Sequence, residues 1–252
     1  MKLKKLDSIL KELFQIDKIK DPSLNGIQIE GSTEISNLGF AVDVNDYIIE
    51  KTIENNIDVL IVHHGLFWGK EYRIKGVMKN RVKKLLENDI TLYAIHLPLD
   101  IHEELGNNRY LYDKMDLRNR EMLVDFGGFP MGFIGHLPNK TKYSKIENYV
   151  EKEIGEIKHK IVSHKMIEKV GILSGDPKSM LDGIFEADFD LLLSGEVTHE
   201  IYFRVLEKDI SAVFVGHYRS EVGGVKLLQN YIEKNYRSEI DNTYFFEFDS
   251  GL

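Results

Sequence analysis

The chain has 252 residues, no cysteine, nine histidines, and 33 basic against 41 acidic side chains, a formal net charge of −8. Without cysteine there can be no disulfide framework, iron–sulfur cluster, thiolate zinc site or cysteine nucleophile, so any transition metal must be held by imidazole and carboxylate. The acidic balance makes duplex nucleic acid a poor default partner, while 42% hydrophobic and 10% aromatic content is that of a globular chain.

The first apolar residues, Leu3, Leu6, Ile9, Leu10, Leu13 and Phe14, recur at helical spacing, so the start reads as an amphipathic helix and not as a signal peptide. No run approaches the ~18 apolar residues of a membrane span, and a soluble, cytoplasmic protein is expected. Apolar strand runs come next at Leu38–Val42, Val59–Val62 and Leu92–Ile95, with helical patterns near Tyr47–Asn55 and Lys79–Asn88. A middle section, 117–167, carries a strand over Met131–Leu137 and a helix over Tyr143–Ile154. Further strands are expected at Val170–Leu173, Leu191–Leu193, Ala212–Val215 and Tyr244–Phe248. Helices are expected near Met180–Ala187, His199–Glu207 and Val222–Tyr236. Apolar strands alternating with helices predict an α/β fold with largely parallel sheets. The expected division is a first α/β lobe at 1–116, the middle section, and a second α/β lobe at 168–252. Sliding the chain along itself until Gly39 falls on Gly171 also puts Asp58 on Asp190 and Leu60 on Leu192. That match suits either a duplication or a chance likeness between βα units.

Chemistry-bearing residues collect where strands end, the usual location of ligand sites in open α/β sheets. Leu60-Ile-Val-His63-His64-Gly65 ends one strand, and the two histidines can face one site only if regular pairing has stopped there. Otherwise one packs in the core and the other meets solvent. The segment Ile95-His96-Leu97-Pro98-Leu99-Asp100, followed by His102, offers imidazole and carboxylate, or else a helix cap with locally bonded histidines. In Gly216-His217-Tyr218-Arg219-Ser220-Glu221 the histidine and glutamate are four apart and share a face if the stretch is helical. Glu221 otherwise reads as a first-turn carboxylate favouring the helix dipole. Ser194-Gly195-Glu196 comes after another strand and supplies a cavity-facing acid or base, whereas His199 reads as a helix-surface residue. Asn25-Gly26 has the composition of a hairpin turn. Gly106-Asn107-Asn108 suits a helix-terminating turn or a hydrogen-bonding layer behind the site. Together His63, His64, His96, Asp100, His217 and Glu221 fit two cations sharing a carboxylate, a set that accepts zinc, manganese, iron or nickel.

In these residues the sequence resembles the GTP cyclohydrolase 1 type 2 homologues, the Nif-three-like family. The matching motifs are NGIQIEG (Asn25–Gly31), IVHHGLFW (Ile61–Trp68), YAIHLPLDIH with GNN (Tyr93–His102, Gly106–Asn108), SGEVTHE (Ser194–Glu200) and VGHYRSE (Val215–Glu221). The resemblance implies two similar α/β lobes around a metal-containing cleft, and a ring-like homohexamer. It implies two divalent metal ions per subunit, held by His63, His64, Asp100, His217 and Glu221, with His96 beside them. Glu196 and His96 are the candidate proton acceptors for hydrolysis of a nucleotide-like or phosphorylated small molecule. The other expectation is a metallochaperone or cofactor-assembly protein without turnover of its own. Arg219 and Ser220 replace the family's usual small residue and threonine, and Arg219 would suit an anion. The chain has no G-x-x-x-x-G-K-[ST] phosphate loop.

Overall fold

The computed structural model describes Met1–Gly251 and divides into two compact units. Unit one comprises Met1–Leu99 and Val225–Phe248; unit two comprises Asp100–Gly224 and residues 249–251. The elements, in chain order, are α1 (Leu3–Phe14), β1 (Gly26–Ile29), β2 (Asn37–Asp43), α2 (Asp46–Glu54), β3 (Val59–His64), α3 (Gly76–Glu87), β4 (Thr91–Ala94) and the single turn α4 (Leu97–Asp100). Next come α5 (Asn107–Lys114), β5 (Arg118–Phe126), β6 (Phe129–Lys142), α6 (Tyr143–Glu153), β7 (His159–Ile161) and β8 (Met166–Leu173). The chain continues through α7 (Leu181–Glu186), β9 (Leu191–Ser194), α8 (His199–Glu207), β10 (Ser211–Phe214), α9 (His217–Tyr236) and β11 (Asn242–Phe245).

The fold is α/β, built on two sheets. Unit one carries the order β1-β4-β3-β2-β11, in which only β1 runs antiparallel to its neighbour. Unit two carries β5-β6-β8-β9-β10-β7, with parallel β8-β9-β10 flanked by antiparallel strands. Strands β4 (Thr-Leu-Tyr-Ala), β9 (Leu-Leu-Leu-Ser) and β10 (Ser-Ala-Val-Phe) are buried at every residue, as strands covered on both faces require. Each unit has its own core: Leu60, Val62, Leu92 and Ile48 are among its members in unit one, Ile172, Leu191, Val213 and Val150 in unit two. The segment Tyr244–Phe248, expected within the second lobe, instead places β11 beside β2 in the first sheet.

The likeness between Asp58 and Asp190 extends to their bonding. Asp58 Oδ2 accepts from the amides of Ser36 and Asn37 at 2.7 and 2.8 Å; Asp190 Oδ2 accepts from those of Glu168 and Lys169 at 2.7 and 2.9 Å. The Asp58 carbonyl accepts from Thr91 N, and the Asp190 carbonyl from Ser211 N, both at 2.9 Å. Each aspartate thus ties the start of one parallel strand to the start of the next, satisfying amides the ladder leaves over. The same device in both units makes β2-β3-β4 and β8-β9-β10 two copies of one plan. Among the described residues no helix is long and apolar enough to cross a membrane.

Candidate metal centre

In unit one β3 runs through His64, but its pairing with β4 stops at Val62 and Ala94. On its other side β3 stays paired with β2 as far as His64, which lies opposite Asp43, and the ring centroids of the two histidines lie 4.5 Å apart. His96, two residues beyond β4, has its ring 5.1 Å from that of His63 and 5.6 Å from that of His64. One donor atom from each of the three lies within 4.8 Å of the other two.

The hydrogen bonds behind these rings fix their tautomers. His63 Nδ1 donates to the Ile95 carbonyl, His64 Nδ1 to Asp43 Oδ1 and His96 Nδ1 to Asp21 Oδ1, each at 2.9 Å. A carbonyl or carboxylate oxygen can only accept, so each Nδ1 carries a proton and Nε2 is the nitrogen of each ring turned away from that acceptor. This is the usual support of metal-ligating histidine. Asp21 also accepts from Ser23 N, Asn25 Nδ2 and Leu97 N at 2.7–2.8 Å. Burial alone would raise its pKa, but the His96 hydrogen bond and charge, with Asn25 and the Ser23 amide, hold the carboxyl below its ordinary value. Asn25 Oδ1 accepts from His96 N at 2.7 Å. Asn25-Gly26 is therefore not a hairpin turn: β1 pairs with β4, and the Asp21–Asn25 loop forms a socket for His96.

Gln28 fixes the loop after His64. Its Oε1 accepts from Leu66 N and Phe67 N at 2.7 and 3.0 Å, and a Cβ at Gly65 would collide with its side chain. Trp68 donates from Nε1 to Gly65 O at 3.0 Å, and its ring centroid stands 4.8 Å from that of His96.

Unit two assembles carboxylates. Asp100 is 5% exposed, and its Oδ1 accepts from Asn107 Nδ2 at 2.8 Å and from Ser174 Oγ at 3.0 Å. Asn108 donates to the Asp100 carbonyl at 3.0 Å and accepts from Ser174 N at 2.7 Å. Gly106-Asn107-Asn108 thus begins α5 and serves as the layer behind Asp100. Asp100 is not a helix cap. The first turn of α9 places His217 and Glu221 on one face, with Nε2 and Oε2 3.1 Å apart and Glu221 only 3% exposed. Glu196, half-exposed, accepts from His217 Nδ1 at 2.5 Å. Burial pulls the His217 pKa down, but Glu221 and then Glu196 outweigh it and raise it to about 9. Ser220 Oγ accepts from Gly175 N at 2.9 Å and donates to His217 O at 2.8 Å, which locks the turn.

Other candidates lie elsewhere. His102 Nδ1 accepts from the Glu104 and Leu105 amides and shapes a turn. His199 is exposed at the start of α8 against the Phe203 ring. Arg219 donates from Nε to Asp249 at 2.9 Å. Sequence reasoning missed Asp21, Asp43 and Ser174, which hold His96, His64 and Asp100; the Asp-Pro-Ser-Leu string at 21–24, directly before the NGIQIEG motif, is the one visible signal.

A family model, Duf34/NIF3 (NGG1p interacting factor 3), matches residues 1–249. The chain belongs to the Duf34/NIF3 family. It is 34% identical to the "GTP cyclohydrolase 1 type 2 homolog" of Deinococcus radiodurans over 90% of this chain and 87% of that protein. It is 33% identical to the one of Archaeoglobus fulgidus over 93% and 94%. Among solved structures, a Thermus thermophilus protein aligns at TM-score 0.88 with 33% identity and full coverage of both chains. HcgD from Methanocaldococcus jannaschii, in its reduced form, aligns at 0.85 with 27% identity and 98% of each chain. The protein ybgI, titled as of unknown function, aligns at 0.90 with 27% identity over 98% and 99%. His, Asp and Glu groups able to hold a metal ion are thus present in a family whose curated members carry a homologue's name.

Proposed function

We propose that this chain is a cytoplasmic, homo-oligomeric metal-dependent hydrolase, a hexamer by its resemblance. Its ions are held by His63, His64, Asp100, His217 and Glu221, and it acts on a nucleotide-like or phosphorylated small molecule. The observation that carries the reading is the uniform Nδ1 anchoring of His63, His64 and His217, which turns Nε2 into the donor on every proposed imidazole ligand. Imidazole with buried carboxylate suits divalent zinc, manganese, iron or nickel, and the donor set fits such ions. Bound there, two ions supply Lewis acidity and acidified water at neutral pH.

The residues of the chain do the rest. Asp43 and Glu196 orient His64 and His217, and Asn107 and Ser174 orient Asp100. Glu221 provides the buried carboxylate that two cations can share. Glu196, more exposed than Asp100 and Glu221, is the proposed proton acceptor from water.

Protein reconstituted with each metal and incubated with nucleotides and phosphorylated small molecules tests the activity. A metal-dependent product is expected, with Glu196→Gln lowering its rate at least tenfold more than it lowers metal content. No such product across the panel, together with transfer of bound metal to an acceptor chelator, would replace the hydrolase with a metal carrier. Metal stoichiometry tests the ligands separately: Glu221→Gln and His64→Ala should each reduce it. Equal loading in both variants and the parent refutes the assignment.

A further inference from the structure

The acidity of the chain is not uniform. Residues 69–84 hold seven lysines and arginines against one carboxylate, Glu71, in a chain whose net charge is −8. Three of the seven meet a carboxylate: Lys84 lies 2.9 Å from Glu50, Lys83 3.4 Å from Glu87 and Arg81 4.0 Å from Asp46. The other four, Lys70, Arg73, Lys75 and Lys79, are exposed, and none is ion-paired among the described residues. Four like charges within ten residues repel one another, and an anion from outside the chain would relieve that repulsion.

The cluster begins at the candidate metal centre. The Trp68 ring stands 4.8 Å from that of His96 and 6.0 Å from that of His64 between centroids, and Lys70 follows two residues later. The chain between them is held against the loop that seats His96. Gly69 has φ +62°, and a Cβ there would lie 3.1 Å from the Pro22 carbonyl oxygen. Leu24 N donates to Phe67 O at 3.0 Å, and the Tyr72 ring meets the Phe67 ring edge-on with centroids 5.3 Å apart. The Lys70 ammonium sits 5.5 Å from the centre of the Tyr72 ring. That contact positions the charge without occupying an acceptor, so the N–H groups of Lys70 stay available to phosphate oxygens. All of these residues belong to unit one. Arg219, the residue first expected to suit an anion, already donates to Asp249 at 2.9 Å.

We propose that the loop 69–75 recognises the phosphate of a phosphorylated substrate, with Lys70, Arg73 and Lys75 as the residues that bind it. Arg73 offers a planar fork that can hold two phosphate oxygens at once, and the two lysines act as point charges. These are binding residues: they select a phosphorylated molecule over its dephosphorylated counterpart and leave the reacting bond to the centre beside Trp68. Because the cations are exposed, salt screens them, and binding weakens as ionic strength rises. The inference rests on the proposed function and deepens it, by naming the residues that give the substrate its class.

Inorganic pyrophosphate is the probe, titrated by calorimetry into chelator-treated protein so that no bound ion can hold it. The triple variant Lys70→Gln/Arg73→Gln/Lys75→Gln should bind it about tenfold or more weakly than wild type. The triple variant Lys142→Gln/Lys145→Gln/Lys165→Gln makes the same change of net charge at exposed positions of unit two. It should stay within about twofold of wild type, since salt screens distant surface charges. If the loop triple variant does not fold, Arg73→Gln alone replaces it and should weaken binding several-fold. Wild-type affinity in whichever loop variant folds, an equal loss in the unit-two variant, or a wild-type chain that binds no pyrophosphate overturns the proposal. Turnover separates this inference from the one beneath it. Where a metal-dependent product forms, the loop variant should raise KM about tenfold or more and leave kcat within about threefold. An unchanged KM overturns the loop assignment alone. Pyrophosphate binding that is lost with the loop, in a protein that yields no metal-dependent product, upholds the loop and overturns the hydrolase.

Discussion

At the scale of single residues, stability and site chemistry are separable because the polar groups that matter have different neighbours. Tyr143 begins α6 and is 5% exposed, and its hydroxyl has no hydrogen-bond partner. Burial, and then the nearby Glu147 carboxylate, push it up to about 12. The folded protein therefore keeps the neutral phenol over a range in which the unfolded chain, titrating near its ordinary value of about 10, already ionises. Stability is unaffected by this group below about pH 10 and falls as pH rises from there to about 12. Tyr143→Phe should be neutral to stabilising by up to about 1 kcal/mol at pH 7, since it removes an unpaired buried hydroxyl. It should also flatten the alkaline fall, as urea unfolding at pH 7 and pH 11 would show; equal slopes in both proteins would refute the assignment. Such a change touches neither unit's metal donors.

At the scale of elements, the turns at the ends of the central strands decide where the donors stand. β9 leads to Gly195-Glu196, and β10 leads through Gly216 into α9, whose first turn carries His217 and Glu221. These turns pack so closely that side chains are barred. Gly175, after β8, has φ +65°, and a Cβ there would run into Glu221 Oε1. Gly127, in the tight turn between β5 and β6, has φ +63°, but a Cβ there meets nothing within 4 Å. The two glycines share the backbone requirement and differ only in the neighbour. Gly127→Ala should therefore cost about 1 kcal/mol, the ordinary penalty for a left-handed residue. Gly175→Ala should cost at least twice that and lower metal content as well, because Glu221 must shift. Thermal melts and metal counts on the pair distinguish them; equal costs and equal loading would show that the contact with Glu221 is unimportant.

At the scale of the whole molecule, two units of like plan carry unlike donors. Unit one offers imidazoles backed by carboxylates, and unit two offers Asp100 and Glu221, both nearly buried. Part of the net charge of −8 is thus placed where bound cations would compensate it. An ion at one hundred times its dissociation constant adds about 2.7 kcal/mol to stability. For a chain of this size, each kcal/mol shifts the melting temperature by about 2–4 °C. Chelation of metal-loaded protein should accordingly lower the melting point by about 5–10 °C per saturated site, with recovery on adding the metal back. A melt that does not respond to chelator, in protein shown to have held metal, would mean that the ions bind the folded and unfolded chains alike.

The sequence by itself determined the α/β alternation, the strand ends at which His63, His64, Asp100, His217 and Glu221 fall, and the family. Each is written locally: apolar runs four to seven residues long make strands wherever the sheet places them, and motif spacing survives in a linear string. It also showed Asp58 and Asp190 in register without showing what they do. Only the tertiary structure decided that β11 joins the first sheet, that Asp21–Asn25 is a socket and not a turn, and that Asp43, Glu196 and Ser174 stand behind the candidate ligands. These pairings link positions as far apart as Ser174 and Asp100 or His96 and Asp21. Strand order and register bring them together, and no period along the chain encodes which acceptor will meet a given Nδ1. The tautomer of each histidine, on which its use as a ligand depends, is therefore a property of the fold.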